Sequence, residues 1–160
     1  MGKEHSVNKS LRASADELSP RLAAVVESLP LRSDLRVLEI GCGTGAVARA
    51  IARQLGDGGH ILAMDRSEKA VQLTIQLSQD EIASGRLSVR QSSVEDFTLD
   101  HDEAPFDLVF AVRVGVLDGR HPNERLLALG RIAAAMTSSG RLFIDGGNPL
   151  REIQIEKGTT

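Results

Sequence analysis

At 160 residues the chain is long enough for one domain with a sizeable core, and with 41% hydrophobic and 26% charged residues it reads as ordinary globular material rather than a disordered or membrane-spanning sequence. A formal net charge of -3, no Trp or Tyr and four Phe argue against the basic surfaces and aromatic platforms that grip nucleic acids. Cys42 is the only cysteine, which excludes an internal disulfide or a CxxC metal site; with no apolar run of membrane-span length and no signal-peptide core in Met1 to Ser10, the expectation is a cytoplasmic protein with no metal, no nucleic acid and no membrane partner.

Residues 1–18 read as a partly flexible N-terminal extension and 19–160 as the folded domain. The first helix is expected to start with Ser19 as N-cap and Pro20 at its first position, to bury Leu22, Val25, Val26 and Leu29, and to stop at Pro30. Leu35 to Ile40 is a buried strand. Ala46 to Leu55 is a helix burying Val47, Ala48, Ile51, Ala52 and Leu55, closed by Gly56. His60 to Met64 is a second strand, followed by a helix from Ser67 that carries Ala70, Leu73, Thr74 and Leu77. Leu87 to Gln91 and Phe106 to Val112 are the third and fourth strands. Asn123 to Met136 is predicted as a helix with Leu126, Leu129, Ala133 and Met136 in register, and Gly140 as the turn into a fifth strand, Arg141 to Asp145. Alternating aliphatic runs and amphipathic segments read as an open, doubly wound α/β fold, a mainly parallel sheet with helices on both faces; the strand order expected of it is 3-2-1-4-5. The fifth strand, apolar at Leu142, Phe143 and Ile144, would be an exposed edge. Gly146 to Pro149 has turn chemistry, so the expectation is that Glu152 to Glu156 folds back antiparallel as a short edge strand, or that a homodimer buries this edge.

Between the first strand and its helix lies VLEIGCGTGAVARAIA, Val37 to Ala52, with Gly41, Gly43 and Gly45 where the strand feeds the helix. Glycines there permit a tight turn and bring backbone N–H groups close to a ligand. The stretch also fits GxGxxA, a variant of the dinucleotide fingerprint. Glu39, two residues before the first glycine, would repel a pyrophosphate and attract an ammonium group. Asp65, 20 positions after Gly45 at the end of the second strand, is placed to accept bonds from ribose hydroxyls.

In these residues the sequence resembles the class I S-adenosylmethionine-dependent methyltransferases, whose first motif reads acid-x-Gly-x-Gly-x-Gly, here Glu39-Ile-Gly-Cys-Gly-Thr-Gly45. The resemblance spans roughly residues 20 to 147 and includes MDRS at 64 to 67. It implies S-adenosyl-L-methionine as cofactor, with Gly41, Cys42, Gly43 and Gly45 against its methionine part and ribose, and Asp65 and Arg66 at the ribose. Ser92-Ser-Val-Glu-Asp-Phe97 is similar to the motif that recognises adenine; Ser93 stands where an acid is common, and the Val94 N–H remains to serve. Phe106 to Val112 resembles a later motif and brings Ala111 to the cofactor. Relative to the family the chain is abbreviated after its fifth strand.

The implied chemistry is methyl transfer to an acceptor, expected to be a small molecule, with alignment and desolvation as the main contributions of the protein. Arg113, Asp118, Arg120 and His121 follow the fourth strand at the carboxyl edge of the sheet, where open α/β folds bind ligands. Arg113 is the candidate for contact with the substrate, and His121 the candidate catalytic base. Two alternatives stay open here: a cofactor-binding protein without transferase activity, and a nicotinamide-binding oxidoreductase.

Overall fold

The computed structural model describes residues 18–156, so nearly all of the expected N-terminal extension falls outside the described residues. In chain order the elements are α1 (Pro20–Ser28), β1 (Arg36–Ile40), α2 (Ala46–Gln54), β2 (His60–Asp65), α3 (Glu68–Leu77), α4 (Gln79–Ala83), β3 (Leu87–Gln91), β4 (Phe106–Ala111), α5 (Pro122–Ala134), β5 (Met136–Asp145) and β6 (Leu150–Ile153). Single 3-10 turns occupy Val94–Asp96 and Gly115–Leu117. The α1 start follows the expected chemistry: Ser19 Oγ accepts from the Leu22 N–H at 3.3 Å and Pro20 fills the first helical position.

The six strands form one sheet in the order β3-β2-β1-β4-β5-β6. All pairings are parallel except that of β5 with β6, in which Leu142 faces Ile153 and Asp145 faces Leu150. Successive strand side chains point to opposite faces, and both faces are buried. Val37, Ile61 and Leu108 therefore join α1 and α2 in one core, while Leu38, Leu62 and Val109 join α5 in the other. This explains why the strands read as continuous aliphatic runs. Among the described residues no helix is long and apolar enough to cross a membrane.

Several expectations are corrected. Met136 ends no helix: α5 stops at Ala134, and Met136 is the first residue of β5, paired with Phe106. Gly140 is not a turn before β5 but part of it. The register jumps there from Phe106 opposite Met136 to Leu108 opposite Arg141, and a Cβ on Gly140 would stand 3.0 Å from the Phe106 carbonyl oxygen. Glycine thus permits the close approach that a bulge demands. Helix faces differ in part from those predicted: α3 buries Thr74 as expected, together with Val71, and leaves Leu73 exposed, while α5 buries Ala128 and Ile132 and leaves Leu126 exposed. α2 is closed by Leu55 in extended conformation, and the Gly56 N–H goes to Ser33 O instead.

The edge strand folds back antiparallel as expected, starting two residues earlier, at Leu150, because the turn is confined to the four residues 146–149. It covers β5 within a single chain, and the Arg141 guanidinium donates to both oxygens of Glu152 at 2.9 Å. Deleting residues 150–160 removes the half-buried Leu150 and Ile153 from the two cores. The expected loss is about 2 kcal/mol, or roughly 4–8 °C in the thermal midpoint, with aggregation through the bared β5 edge. Thermal unfolding with light scattering checks this; a deletion variant as stable and monodisperse as the full chain would count against the role of β6.

Candidate functional site

The loop from Gly41 to Gly45 joins β1 to α2 and is held from three sides. The N–H groups of Gly41 and Cys42 donate to Met64 O at 2.8 and 2.9 Å, so the loop starts against the end of β2. Thr74 Oγ1, on α3, donates to Gly43 O at 2.9 Å. The fully buried Arg49 of α2 reaches back, its Nη1 donating to Thr44 O at 2.8 Å and to Ser78 Oγ at 3.1 Å. Two glycines are required for different reasons. A Cβ on Gly45 (φ +82°) would lie 2.6 Å from Thr74 Cγ2 and 2.9 Å from Arg49 Nη1, whereas a Cβ on Gly43 (φ +56°) would meet nothing within 4 Å. Gly45 serves packing; Gly43 borders open space.

Two cavities flank this loop at the carboxyl edge of the sheet. The smaller, about 260 Å³, is lined by Glu39, the Gly41–Thr44 backbone and Arg21 of α1. The larger, about 730 Å³, runs past Asp65, Arg66, Ser93 and Val94 to Val112–Val116, Arg120, His121 and Glu124. Gly41, Val112 and Arg113 line both, so the cavities meet at these residues.

Glu39 is buried on β1 and its Oε2 has no hydrogen-bond partner among the described residues. Burial pushes its carboxyl up to about 8; the Arg49 charge opposes this and the Asp65 charge adds to it. A cationic group entering the smaller cavity would supply the missing partner. Asp65 Oδ2 accepts from the Gly43 N–H at 3.0 Å and Oδ1 from the Ser67 N–H at 2.9 Å, which fixes the carboxylate and leaves a lone pair on each oxygen for a ligand.

Gly41, Arg66, Ser93 and Val94 come together with Asp65 in the larger cavity. Ser93 Oγ donates to Asp96 Oδ2 at 3.0 Å, and Asp96 itself lines neither cavity. Cys42 is buried beside Thr74, with Sγ 3.6 Å from its Oγ1, and burial pushes the thiol up to about 12; it is packing, not a nucleophile. Ala111, the last residue of β4, is a core residue, 1% exposed, and its neighbour Val112 lines both cavities. β4 ends at Ala111, one residue short of the expected Val112. His121 is the N-cap of α5 at the rim, and Arg113 follows β4. The Arg120 guanidinium, 2.6 Å from Asp118 Oδ2, holds that carboxyl below its ordinary value, so Asp118 is committed to an ion pair.

Sequence reasoning missed Arg49, the role of Thr74 as a loop anchor, and Asp145, which accepts from the Arg113 N–H at 3.2 Å and lies 3.7 Å from Arg21 Nη2. Arg49 had one available signal: a lone cation four residues after Gly45 inside an Ala/Val/Ile segment, on the face that must be buried. No sequence signal pairs Asp145 with residue 113.

Sheet order, glycine loop and acidic residues at the ends of β1 and β2 define a Rossmann-like methyltransferase fold. Residues 31–157 match the family model described as a methyltransferase domain, and the chain belongs to that family. It is 30% identical over 142 residues to a ubiquinone biosynthesis O-methyltransferase of Xylella fastidiosa (strain 9a5c), covering 88% of this chain and 51% of that protein. An uncharacterized RNA methyltransferase of Streptomyces coelicolor is 28% identical over 144 residues, 84% of this chain and 30% of its own length. The chain thus spans about half or less of the length of such curated relatives. Among solved structures, a SAM-dependent methyltransferase from Thiobacillus denitrificans, in complex with S-adenosyl-L-homocysteine, has a TM-score of 0.60 at 18% identity over 81% of this chain and 48% of that one, a likeness of fold.

Proposed function

We propose that this domain binds S-adenosyl-L-methionine and transfers its methyl group to a small-molecule acceptor. The observation that carries the reading is the buried, unpartnered Oε2 of Glu39 at a cavity bordered by the open side of Gly43. An ammonium group satisfies that oxygen, a backbone without a Cβ at residue 43 admits the ligand, and Asp65 offers two acceptors to a vicinal diol. These are the polar features of the proposed cofactor, which when bound supplies a methyl group on an electrophilic sulfonium. A nicotinamide dinucleotide would instead bring its pyrophosphate toward Glu39.

Each residue then has a physical task. Glu39 binds the amino end and Asp65 the ribose. Val94, buried at the start of its 3-10 turn, and Met64 enclose the base between apolar walls. Val112, Val114 and Val116 give the space left for the acceptor an aliphatic side, and Arg113 and His121 border it. Alignment in a dry cavity is the main requirement of in-line methyl transfer. For an acceptor that must lose a proton, His121 is the base at hand. The ubiquinone-pathway relative and a net charge of -3 support a small molecule over RNA, although two Streptomyces relatives carry the name RNA methyltransferase.

Asp65→Ala is expected to weaken S-adenosyl-L-homocysteine binding by about 1–3 kcal/mol, the cost of losing charge-assisted bonds. Isothermal titration measures this, and unchanged affinity removes the ribose assignment. Stabilisation by S-adenosyl-L-homocysteine but not by NAD(H), followed by mass spectrometry of candidate acceptors, separates transfer from binding alone and from hydride chemistry.

A further inference from the structure

Arg113 lies where the two cavities meet and lines both. Its φ of +58° is in the left-handed region, which a non-glycine residue adopts only when its surroundings impose it. Here the imposing contact is the bond from its N–H to Asp145 Oδ2, at 3.2 Å. Asp145 is steadied in turn by Arg21, at 3.7 Å. The backbone is therefore held, while the Arg113 guanidinium has no carboxylate partner among the described residues. The other arginine of this loop differs: Arg120 is bonded to Asp118. Beside Arg113 the wall is aliphatic, formed by Val112, Val114 and Val116.

We propose that Arg113 is the anion-recognising group of the acceptor site and that the acceptor is a small molecule bearing a carboxylate on an aliphatic body. A guanidinium fork matches a carboxylate with two parallel hydrogen bonds. The inference rests on the cofactor reading above, which places a second cation, the sulfonium, in the same pair of cavities. Glu95 and Glu124 also line the larger cavity, but neither forms an ion pair with Arg113 among the described residues, so a carboxylate on the acceptor gives that guanidinium a partner the lining does not supply. The strained backbone at residue 113 is then a positioning device for its side chain.

The test uses hexanoate and its neutral isostere hexanamide as probes, titrated into protein saturated with S-adenosyl-L-homocysteine and followed by amide chemical shifts. Hexanoate is expected to bind at least about tenfold more tightly, the yield of one charge-assisted contact. Arg113→Asn keeps a residue type that tolerates positive φ and removes the charge; it should reduce the preference to below about threefold, with Arg113→Lys retaining part of it. Cofactor-product affinity in Arg113→Asn should stay within about threefold of the parent protein. The proposal is overturned by hexanoate binding no better than hexanamide, including no detectable binding of either, or by a preference that survives in Arg113→Asn. It is also overturned if Arg113→Asn loses more than about tenfold in S-adenosyl-L-homocysteine affinity, since Arg113 would then hold the cofactor's own carboxylate. A protein that binds no S-adenosyl-L-homocysteine removes the cofactor reading alone, and the same titrations on the free protein still decide the role of Arg113.

Discussion

Gly43→Val is expected to abolish S-adenosyl-L-homocysteine binding, by a factor of at least about 100, while leaving a folded protein. The separation of the two effects comes from the loop geometry. A Cβ at residue 43 meets nothing within 4 Å, so the branch point of a valine has room there, and the strain lies in the positive φ of +56°. That strain costs about 1–3 kcal/mol, a fall of several degrees in thermal midpoint at this chain length. In the proposed reading a ligand enters this same space, and the isopropyl group fills it. Gly45→Val makes the contrast: its side chain runs into Thr74 and Arg49, so it should fail at folding. Calorimetric titration beside a thermal melt of each variant measures both effects. A Gly43→Val protein that folds and binds normally would place the ligand elsewhere.

The second large effect is on pH dependence. In the free protein burial holds the Glu39 carboxyl at about 8, against an ordinary 4.5, so it is mainly protonated at neutral pH. Since the folded value lies above the unfolded one, its contribution to stability is full below about pH 4.5 and is lost as pH rises through about 8. Ligand binding reverses the preference, because an ammonium partner favours the carboxylate. Affinity for S-adenosyl-L-homocysteine should therefore rise with pH, by up to about tenfold per unit between roughly pH 5.5 and 7.5, below the ordinary range in which an α-amino group titrates. Binding in that window releases a proton, which titration in buffers of different ionisation enthalpy detects. Glu39→Gln should flatten the profile. A parent protein whose affinity is independent of pH, with no proton released, would sever Glu39 from the ammonium.

What the sequence made legible follows from how local each signal is. β1, the glycine loop and α2 are contiguous, and their burial, turn chemistry and helix start are written within the sixteen residues from Val37 to Ala52. Asp65 could be placed because a strand end and a helix N-cap at Ser67 bracket it. The parallel sheet covered on both faces followed from alternation, whereas its strand order came with the family resemblance. The errors lie where a residue's environment is decided by distant chain. Met136 fits a helical period and a strand equally well, and pairing with Phe106 decides for the strand. Leu126 and Leu73 look like core residues, yet the helices turn small or β-branched neighbours, Ala128 and Val71, toward the sheet. The held backbone of Arg113 depends on Asp145, 32 residues away, and has no local mark.

Arg49 connects the glycine loop to Ser78, the residue that closes α3 and opens α4, 29 positions away in sequence. Its buried Nη1 donates to both, so a rearrangement of the loop disturbs the junction between those two helices. The amides of Gly41–Gly45 should consequently exchange their hydrogens together with that junction, as part of one cooperative opening, and not by local fraying. The binding-ready shape of the loop is maintained by the folding of its surroundings, so little further ordering is needed when a ligand arrives. Substitutions that loosen the α3–α4 junction should then appear as weaker ligand binding, although no atom that touches the ligand has changed.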